Sequence, residues 1–482
     1  MKTFIHARYS MASTFVGVVI SATATCAAAD SVSFMRDVAP ILCRRCEGCH
    51  GSKHKDGEFR LDSFRHLMTP NSFGSPLIVP GYPDRSELLQ RLISDDDDLR
   101  MPQEDGPLTA KQIEVIRRWI ADGAIFDGKD ERLSLRRQRP PREHPRPPVT
   151  YRSPVPVTAI ALSPTGDELA TGGYHEVLIW AAASGRLLRR IPDLPERILD
   201  LAFSRGGRHL LVGGGCPGDY GEVALFDLQT AKKERVFGTF EDVVLGVTFS
   251  RDGKRVAASS ADHTVRVYNT TGAALWEKRV HADWVTAVSF SHDDRFLASS
   301  SRDMTVKVFD VPSGHLFTTY SGHRKQFGKN AGQHKVHDVV FSADTLLACS
   351  AGTDNVIRLW DPVKSQAEDG TAADMELRFS KEGHTRYIEH GSPRGVQALD
   401  LDGDRLFCAG RNGHITQYEV LSGDLVHTYD TGTPWIYSID YEDAAHRMAN
   451  GCADGSVQVW DTITGELVNR FTARPESGEG KS

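Results

Sequence analysis

The chain has 482 residues, 40% of them hydrophobic and 25% charged. That is enough apolar material for packed cores and too long for one ordinary domain, so a multidomain globular chain is expected and a disordered or fibrous one is excluded. A formal net charge of −7 argues against a general nucleic-acid-binding role, which shows as a strongly basic domain.

Residues 1–29 read as an export signal. Lys2 and Arg8 form a short basic region, Phe15 to Ile20 an apolar run, and Ala27 to Ala29 a small-residue cleavage site before Asp30. The run is too short and too rich in Ser and Thr to cross a bilayer, which takes about 20 apolar residues. No later stretch looks like a membrane span, so the mature chain is expected to be periplasmic or otherwise extracytoplasmic, without a transmembrane segment. Cys26 leaves with the signal. Of the other cysteines, Cys216, Cys349, Cys408 and Cys452 are scattered, whereas Cys43, Cys46 and Cys49 are clustered. Eight cysteines in so long a chain do not make a disulfide scaffold.

The cluster is followed by His50, giving Cys46-Glu47-Gly48-Cys49-His50, a C-x-x-C-H signature of covalent haem attachment. Two thiols about one helical turn apart can both add to the haem vinyl groups, and the adjacent His then ligates the iron. A zinc site built from Cys43, Cys46, Cys49 and His50 is an alternative. A thioredoxin-like pair is another, but it wants a βαβ context that is absent here. Context favours haem. Upstream, Phe34, Val38, Ile41 and Leu42 lie at helical spacing. Downstream, Met101 sits in an Arg-Met-Pro loop and suits a thioether ligand on the open face of the iron; Met68 is the other methionine of this stretch. Thr109 and Gln112 read as a capping box for a helix carrying Ile113, Ile116, Trp119 and Ile120 on one face, and Gly123 suits its stop.

The string from Phe34 to Leu42, the C-x-x-C-H, Gly74 to Pro80, Ser86 to Leu89, Arg100 to Pro102 and Trp119 to Ala124 recur in an order that resembles the Planctomycete-type cytochrome c domain, over roughly residues 32–127. The resemblance implies a small all-α fold binding one covalent haem c, with Cys46 and Cys49 as thioether links, His50 as proximal and Met101 as distal iron ligand. Cys43 is an extra thiol, and Gln103 stands where a second Pro is common. Asp95 to Asp98 read as a solvated acidic loop, with a docking patch for a basic redox partner as the sharper reading.

The haem domain is assigned to residues 30–128. A Pro- and Arg-rich linker follows at 129–150, with seven Arg between Arg132 and Arg152. Such sequence favours extended, semi-rigid spacers, although the arginines can also pair with an acidic surface, a membrane or the following domain.

From Val157 the sequence repeats with a period near forty residues. Each unit has a strand ending in an aromatic: Trp180, Phe226, Tyr268, Phe309, Trp360, Tyr418 and Trp460. The pattern resembles WD40 repeats and implies an all-β, seven-bladed propeller over 151–475, with 476–482 as a disordered tail. Asp262, Asp303, Asp354 and Asp454 match the aspartate of the tight turn before the third strand, and His281, His323 and His384 match the Gly-His position; all are structural assignments. Cys349, Cys408 and Cys452 read as buried thiols in second strands. An overlapping closing strand is not obvious unless residues near Thr150 supply it. Two insertions, 321–337 and 383–397, are basic and rich in His, and form the candidate rim for an acidic partner.

The expected function is that of an exported electron-transfer haem protein with a redox partner protein, its propeller a scaffold for a further protein partner. An oxidoreductase with a substrate site on the propeller, or a haem-bearing structural or sensory protein, are the alternatives. No catalytic residue cluster is visible, so an enzyme is not the favoured reading.

Overall fold

Phe34, Val38 and Leu42 point into one core, because they recur at helical spacing along a π-turn at Phe34–Val38 and the helix α1 (Ala39–Arg45) that continues it. The computed structural model describes residues 31–51, 59–103, 106–138, 142–323, 334–342, 346–353, 356–363, the backbone of 384–389, 395–433 and 435–475. The expected signal segment 1–29, Asp354, the His384 side chain, most of both insertions and the expected tail 476–482 lie outside the described residues.

Four more short helices complete the N-terminal unit: α2 (Glu47–His50), α3 (Phe64–Leu67), α4 (Glu87–Leu92) and α5 (Ala110–Ala121). The capping box forms as expected. Thr109 Oγ1 accepts the Gln112 N–H, and Gln112 Oε1 accepts the Thr109 N–H at 2.9 Å. Ile116, Trp119 and Ile120 are buried on one face of α5, while Ile113 packs at the core's edge. Phe34, Phe64, Trp119 and Phe126 form the aromatic centre, with Phe34 to Phe64 at 4.9 Å and Phe64 to Phe126 at 4.6 Å between ring centroids. Packing of this unit runs on beyond residue 128. Leu135 is fully buried in the same core, and its N–H donates to the Asp62 carbonyl. The first part of the Pro/Arg stretch is therefore folded onto the helices rather than extended as a spacer. No helix among the described residues is long and apolar enough to cross a membrane.

Seven four-stranded antiparallel sheets follow, each with its strands in chain order. They span residues 160–191, 197–240, 244–278, 285–320, 336–389, 396–430 and 436–472, and are blades 1 to 7 of a closed propeller. All seven repeating aromatics fall in third strands. The tight-turn aspartates act as their type predicts. Asp262, Asp303 and Asp454 accept N–H bonds from Thr264, Thr305 and Ser456 at 2.9–3.0 Å. His281 joins Asp303 (2.8 Å) to Ser299 (2.8 Å), and His323 reaches Ser350 (2.9 Å). Burial keeps His281 low and neutral, so Nδ1–H can donate to Asp303. Cys349, Cys408 and Cys452 are buried in second strands.

Among the described residues the ring closes without an overlapping strand. Blade 7 supplies its own outer strand, Leu467–Thr472. The seam is made instead by the segment leading into blade 1. Val157 N–H donates to the Cys452 carbonyl, Ser438 donates to the Val157 carbonyl, and Asp440 accepts the Leu162 N–H at 2.6 Å. Gly455 has φ +82°, and a Cβ there would meet Pro154 at 2.7 Å, so glycine lets this segment lie against the blade. Trp180 of blade 1 packs on Phe471 of blade 7.

The Asp440 device recurs around the ring axis. Asp200 accepts Leu201 and Val247 N–H, Asp338 accepts Val339 and Leu399 N–H, and Asp400 accepts Leu401 and Tyr441 N–H. Each thus ties its own first strand to that of the next blade. Desolvation pushes Asp200 and Asp338 up to about 7, against the two N–H bonds that hold each down. A carboxyl whose pKa is raised on folding stabilises the fold below its unfolded pKa of about 3.9, and that contribution is lost as pH rises through the folded value. The propeller's thermal midpoint is therefore expected to fall as pH rises from 5 to 8. Asp200→Asn with Asp338→Asn should flatten that slope; a midpoint that rises over this range would contradict the assignment.

Candidate cofactor site

Cys46 ends α1, and its carbonyl accepts the His50 N–H at 3.0 Å, closing the single turn of α2. That turn sets Cys46, Cys49 and His50 on one side of the chain. Gly51 then leads the chain away directly beneath it: a Cβ at Gly51 would meet the Glu47 carbonyl at 2.6 Å. Helix α4 supplies Leu88, Arg91 and Leu92 to the same cavity. The Arg91 carbonyl accepts the Met101 N–H at 3.0 Å, which brings the Met101 loop to the same place.

The result is one cavity of about 550 Å³ lined by Cys46, Cys49, His50 and Met101 together with Phe59, Leu61, Leu77, Leu88 and Leu92. Arg44, Arg45, Asn71, Arg91 and Gln103 contribute its polar rim. The volume lies within the range of small-molecule and cofactor sites, about 300–1,000 Å³. His50 Nδ1 is buried with no hydrogen-bond partner among the described residues. None of the three clustered thiols is joined in a disulfide. Burial pushes the Cys46 thiol up to about 12, with the neighbouring Cys43 and Cys49 adding to it. The donor set is thus two thiols, an imidazole and a thioether around an apolar slot, which suits a flat apolar ring carrying a metal. Cys43, Cys46, Cys49 and His50 do not converge as a metal cluster among the described residues. Among the described residues, the group of three or more possible ligands that converges is His209, Asp227 and Glu234, far along the chain in the propeller. Asp227 there is already engaged by Arg208 and Thr230.

Cys43 is buried in the helical core, away from the cavity lining, with its thiol beside the Glu47 carboxylate. Asp95 to Asp98 are exposed, and Asp97 pairs with Arg100.

Sequence reasoning left the partner of the arginine stretch open, and the structure supplies it. Arg136 Nε donates to Glu47 (2.8 Å), between the two cysteines of the motif. Its Nη1 donates to the carbonyls of Gly218, Asp219 and Glu241 on the propeller, and its Nη2 to the Cys43 carbonyl. Burial raises Glu47, and Arg136 opposes that rise. Arg137 pairs with Glu241 and Glu277, both at 2.8 Å. Arg142 pairs with Asp219 and lies over the Tyr220 ring, 4.0 Å from its centroid. His144 reaches Glu222 (3.1 Å), and Arg190 holds the Pro148 and Val149 carbonyls against blade 1. The stretch is a strap pinned along blades 1 to 3.

Residues 46–105 match the family described as Planctomycete cytochrome C. Residues 232–269, 274–310, 314–361 and 423–461 match WD domain, G-beta repeat. Similar proteins include the F-box/WD repeat-containing protein sel-10 of Caenorhabditis elegans, 22% identical over 30% of this chain. The U3 small nucleolar RNA-associated protein 4 homolog of Mus musculus is 30% identical over 28% of the chain. The Protein LST8 homolog of Drosophila melanogaster is 27% identical over 26%. The chain spans 22%, 20% and 41% of these relatives' own lengths. The fold is thus a small helical cytochrome c-like unit followed by a WD-repeat propeller, the scaffold type used for protein–protein interaction.

Arg136→Ala leaves Glu47 buried without its cation. It is expected to weaken docking of the two units by about 3–5 kcal/mol. Calorimetry should then show two thermal transitions in place of one, and trypsin should cut the strap faster. Arg136→Lys keeps the charge but not the fork of donors, and should recover part of the loss. One transition and unchanged cleavage in Arg136→Ala would show that docking does not depend on this side chain.

Proposed function

We propose that the helical unit holds one covalent haem c and transfers single electrons to or from a partner protein, with the propeller as its interaction scaffold. Cys46 and Cys49 are the thioether links, His50 the proximal ligand and Met101 the distal one. The observation that carries this reading is that these four side chains, spread over 56 residues of sequence, line one cavity. When bound, the haem supplies a one-electron iron couple. The chain's own part is to bind, orient and shield. Leu61, Leu77, Leu88 and Leu92 line the cavity with apolar side chains, and a thioether and an imidazole as iron ligands would favour the reduced state more than two imidazoles. Arg45 and Arg91 line the cavity and would face the carboxylates that haem carries, Arg91 while paired with Glu87 at 3.1 Å.

Export fits this assignment, because covalent haem attachment in bacteria is completed outside the cytoplasm. The basic, apolar and small-residue regions of residues 1–29 support an extracytoplasmic, periplasmic location.

The test is spectroscopic, on protein exported by a host that matures cytochromes c. A denatured alkaline pyridine spectrum is expected to count one covalent haem per chain. The oxidised native spectrum should show the weak sulfur-to-iron band. Met101→Ala is expected to retain the haem, lose that band and lower the reduction potential. A retained band would move the distal role to Met68; absence of covalent haem, with zinc found instead, would overturn the proposal.

A further inference from the structure

At the end of blade 2 remote from the helical unit, three neighbouring strands bring three metal-binding side chains together. His209 opens the second strand (His209–Cys216), Asp227 closes the third (Tyr220–Asp227), and Glu234 lies near the start of the fourth (Lys232–Phe240). His209 and Asp227 are direct cross-strand partners, so their side chains share one face of the sheet. Glu234 joins them because the fourth strand bulges there. Leu225 pairs with Arg235 and Phe226 with Lys233, which leaves Glu234 as the extra residue. One donor atom from each side chain lies within 4.8 Å of the other two, and His209 Nε2 is 3.5 Å from Glu234 Oε2. Two ligands of one tetrahedral ion, with bonds of about 2.1 Å, stand about 3.4 Å apart.

The other blades show that this grouping is not the default of the repeat. The register position of His209, opposite the residue that ends the third strand, holds Arg255, Arg405 and Arg447 in blades 3, 6 and 7. The bulge position of Glu234 holds Leu188, Leu275, Phe317, Val426 and Val468 in blades 1, 3, 4, 6 and 7. A guanidinium has no acceptor atom, and apolar side chains have none either, so neither can ligate a cation. In blade 2 both positions change together, one to an imidazole and the other to a carboxylate, on either side of an aspartate.

Asp227 is the oriented member of the three. One of its oxygens accepts the Thr230 N–H (2.8 Å) and hydroxyl (3.1 Å), and the other accepts the Arg208 Nε–H (2.8 Å). Fixed second-shell bonds of this kind are what aim a ligating carboxylate. Arg208 is the group an ion has to displace. Its side chain is 57% exposed, so it can turn into water and release a lone pair of Asp227. Lys232, opposite Asp227 in the register, is exposed, and Lys233 is taken up by Asp193 and Glu222.

We infer that His209, Asp227 and Glu234 form a binding site for a divalent transition-metal ion of the zinc class, taken up in exchange for the Arg208 guanidinium. Two carboxylates and a neutral imidazole balance the charge of the ion. The imidazole selects against magnesium and calcium, which take oxygen ligands. Three protein donors leave a position open to water. The ion cross-links the three outer strands of the blade that carries the helical unit.

The experiment is calorimetric titration of the full-length protein with zinc chloride. Saturable binding is expected, and magnesium or calcium chloride at the same concentration should not compete with it. His209→Arg and Glu234→Leu each install the residue that other blades carry at that position, and each should weaken binding at least about tenfold. Arg208→Ala removes the competing cation and should tighten binding about threefold. Circular dichroism checks that each variant is folded; if His209→Arg is not, His209→Gln replaces it with the same expectation. No saturable binding, binding untouched by either substitution (as for an ion held at the cysteines), or weaker binding in Arg208→Ala would overturn the inference. None of these readouts depends on haem loading, so failure here leaves the haem assignment standing.

Discussion

The guanidinium of Arg136 is the centre of the joint between the two halves of this molecule. Its planar fork fills every direction with an acceptor: a carboxylate and a carbonyl from the helical unit, and three carbonyls from the propeller. Arginine suits this role because its donors are fixed in one plane and its charge does not titrate. The carboxylate it meets, Glu47, lies between the two cysteines whose spacing defines the cavity wall. Whatever shifts blade 2 or the turn after blade 2 therefore pulls on the helix that carries the thiols. Arg137 and Arg142 extend the grip to Glu241, Glu277 and Asp219. In composition this strap looks like a solvated spacer; in space it is a joint.

The propeller solves a related problem by other means. A closed ring has to match its last blade to its first, and the usual aid, a strand shared across the seam, is missing among the described residues. Backbone-accepting carboxylates take its place. Asp440 reaches from blade 7 to Leu162 of blade 1 much as Asp200, Asp338 and Asp400 reach across their own junctions. Burying carboxyl groups beside one another is unfavourable, and desolvation raises Asp400 and Asp440 well above the ordinary carboxylate range. The ring tolerates this because each carboxyl satisfies backbone donors that would otherwise be orphaned where first strands meet.

Much of this was legible in the residues. The cysteine and histidine spacing, the capping box at Thr109 and the aromatic at the end of each third strand are local patterns with local causes. Met101 was legible through its loop. What the sequence did not disclose is contacts between distant residues that carry no periodic signal. Glu47 sits at a variable position of its motif, and nothing marks it as the partner of an arginine 89 residues later. Leu135 reads as linker because prolines and arginines surround it, yet it belongs to the helical core. Gly246, Ala287 and Ala398 stand at the equivalent first-strand positions of blades 3, 4 and 6, so Asp200 and Asp338 look incidental until the neighbouring blade is in place. Sequence pattern reports the face a residue prefers; it does not report the partner on the far side.

The seam has a further implication for timing. A ribosome releases the chain from its N-terminus, so the helical unit can pack before any blade exists. The carbonyl of Glu241 that Arg136 needs arrives 105 residues later, and the carboxylate that seals Leu162 arrives 278 residues after it. Until then the motif turn is open on the side the propeller will cover. The molecule thus has a built-in order of events: the helical unit can form first, and the joint that Arg136 makes with Glu47 and the propeller is completed only when blade 2 and the turn after it have emerged.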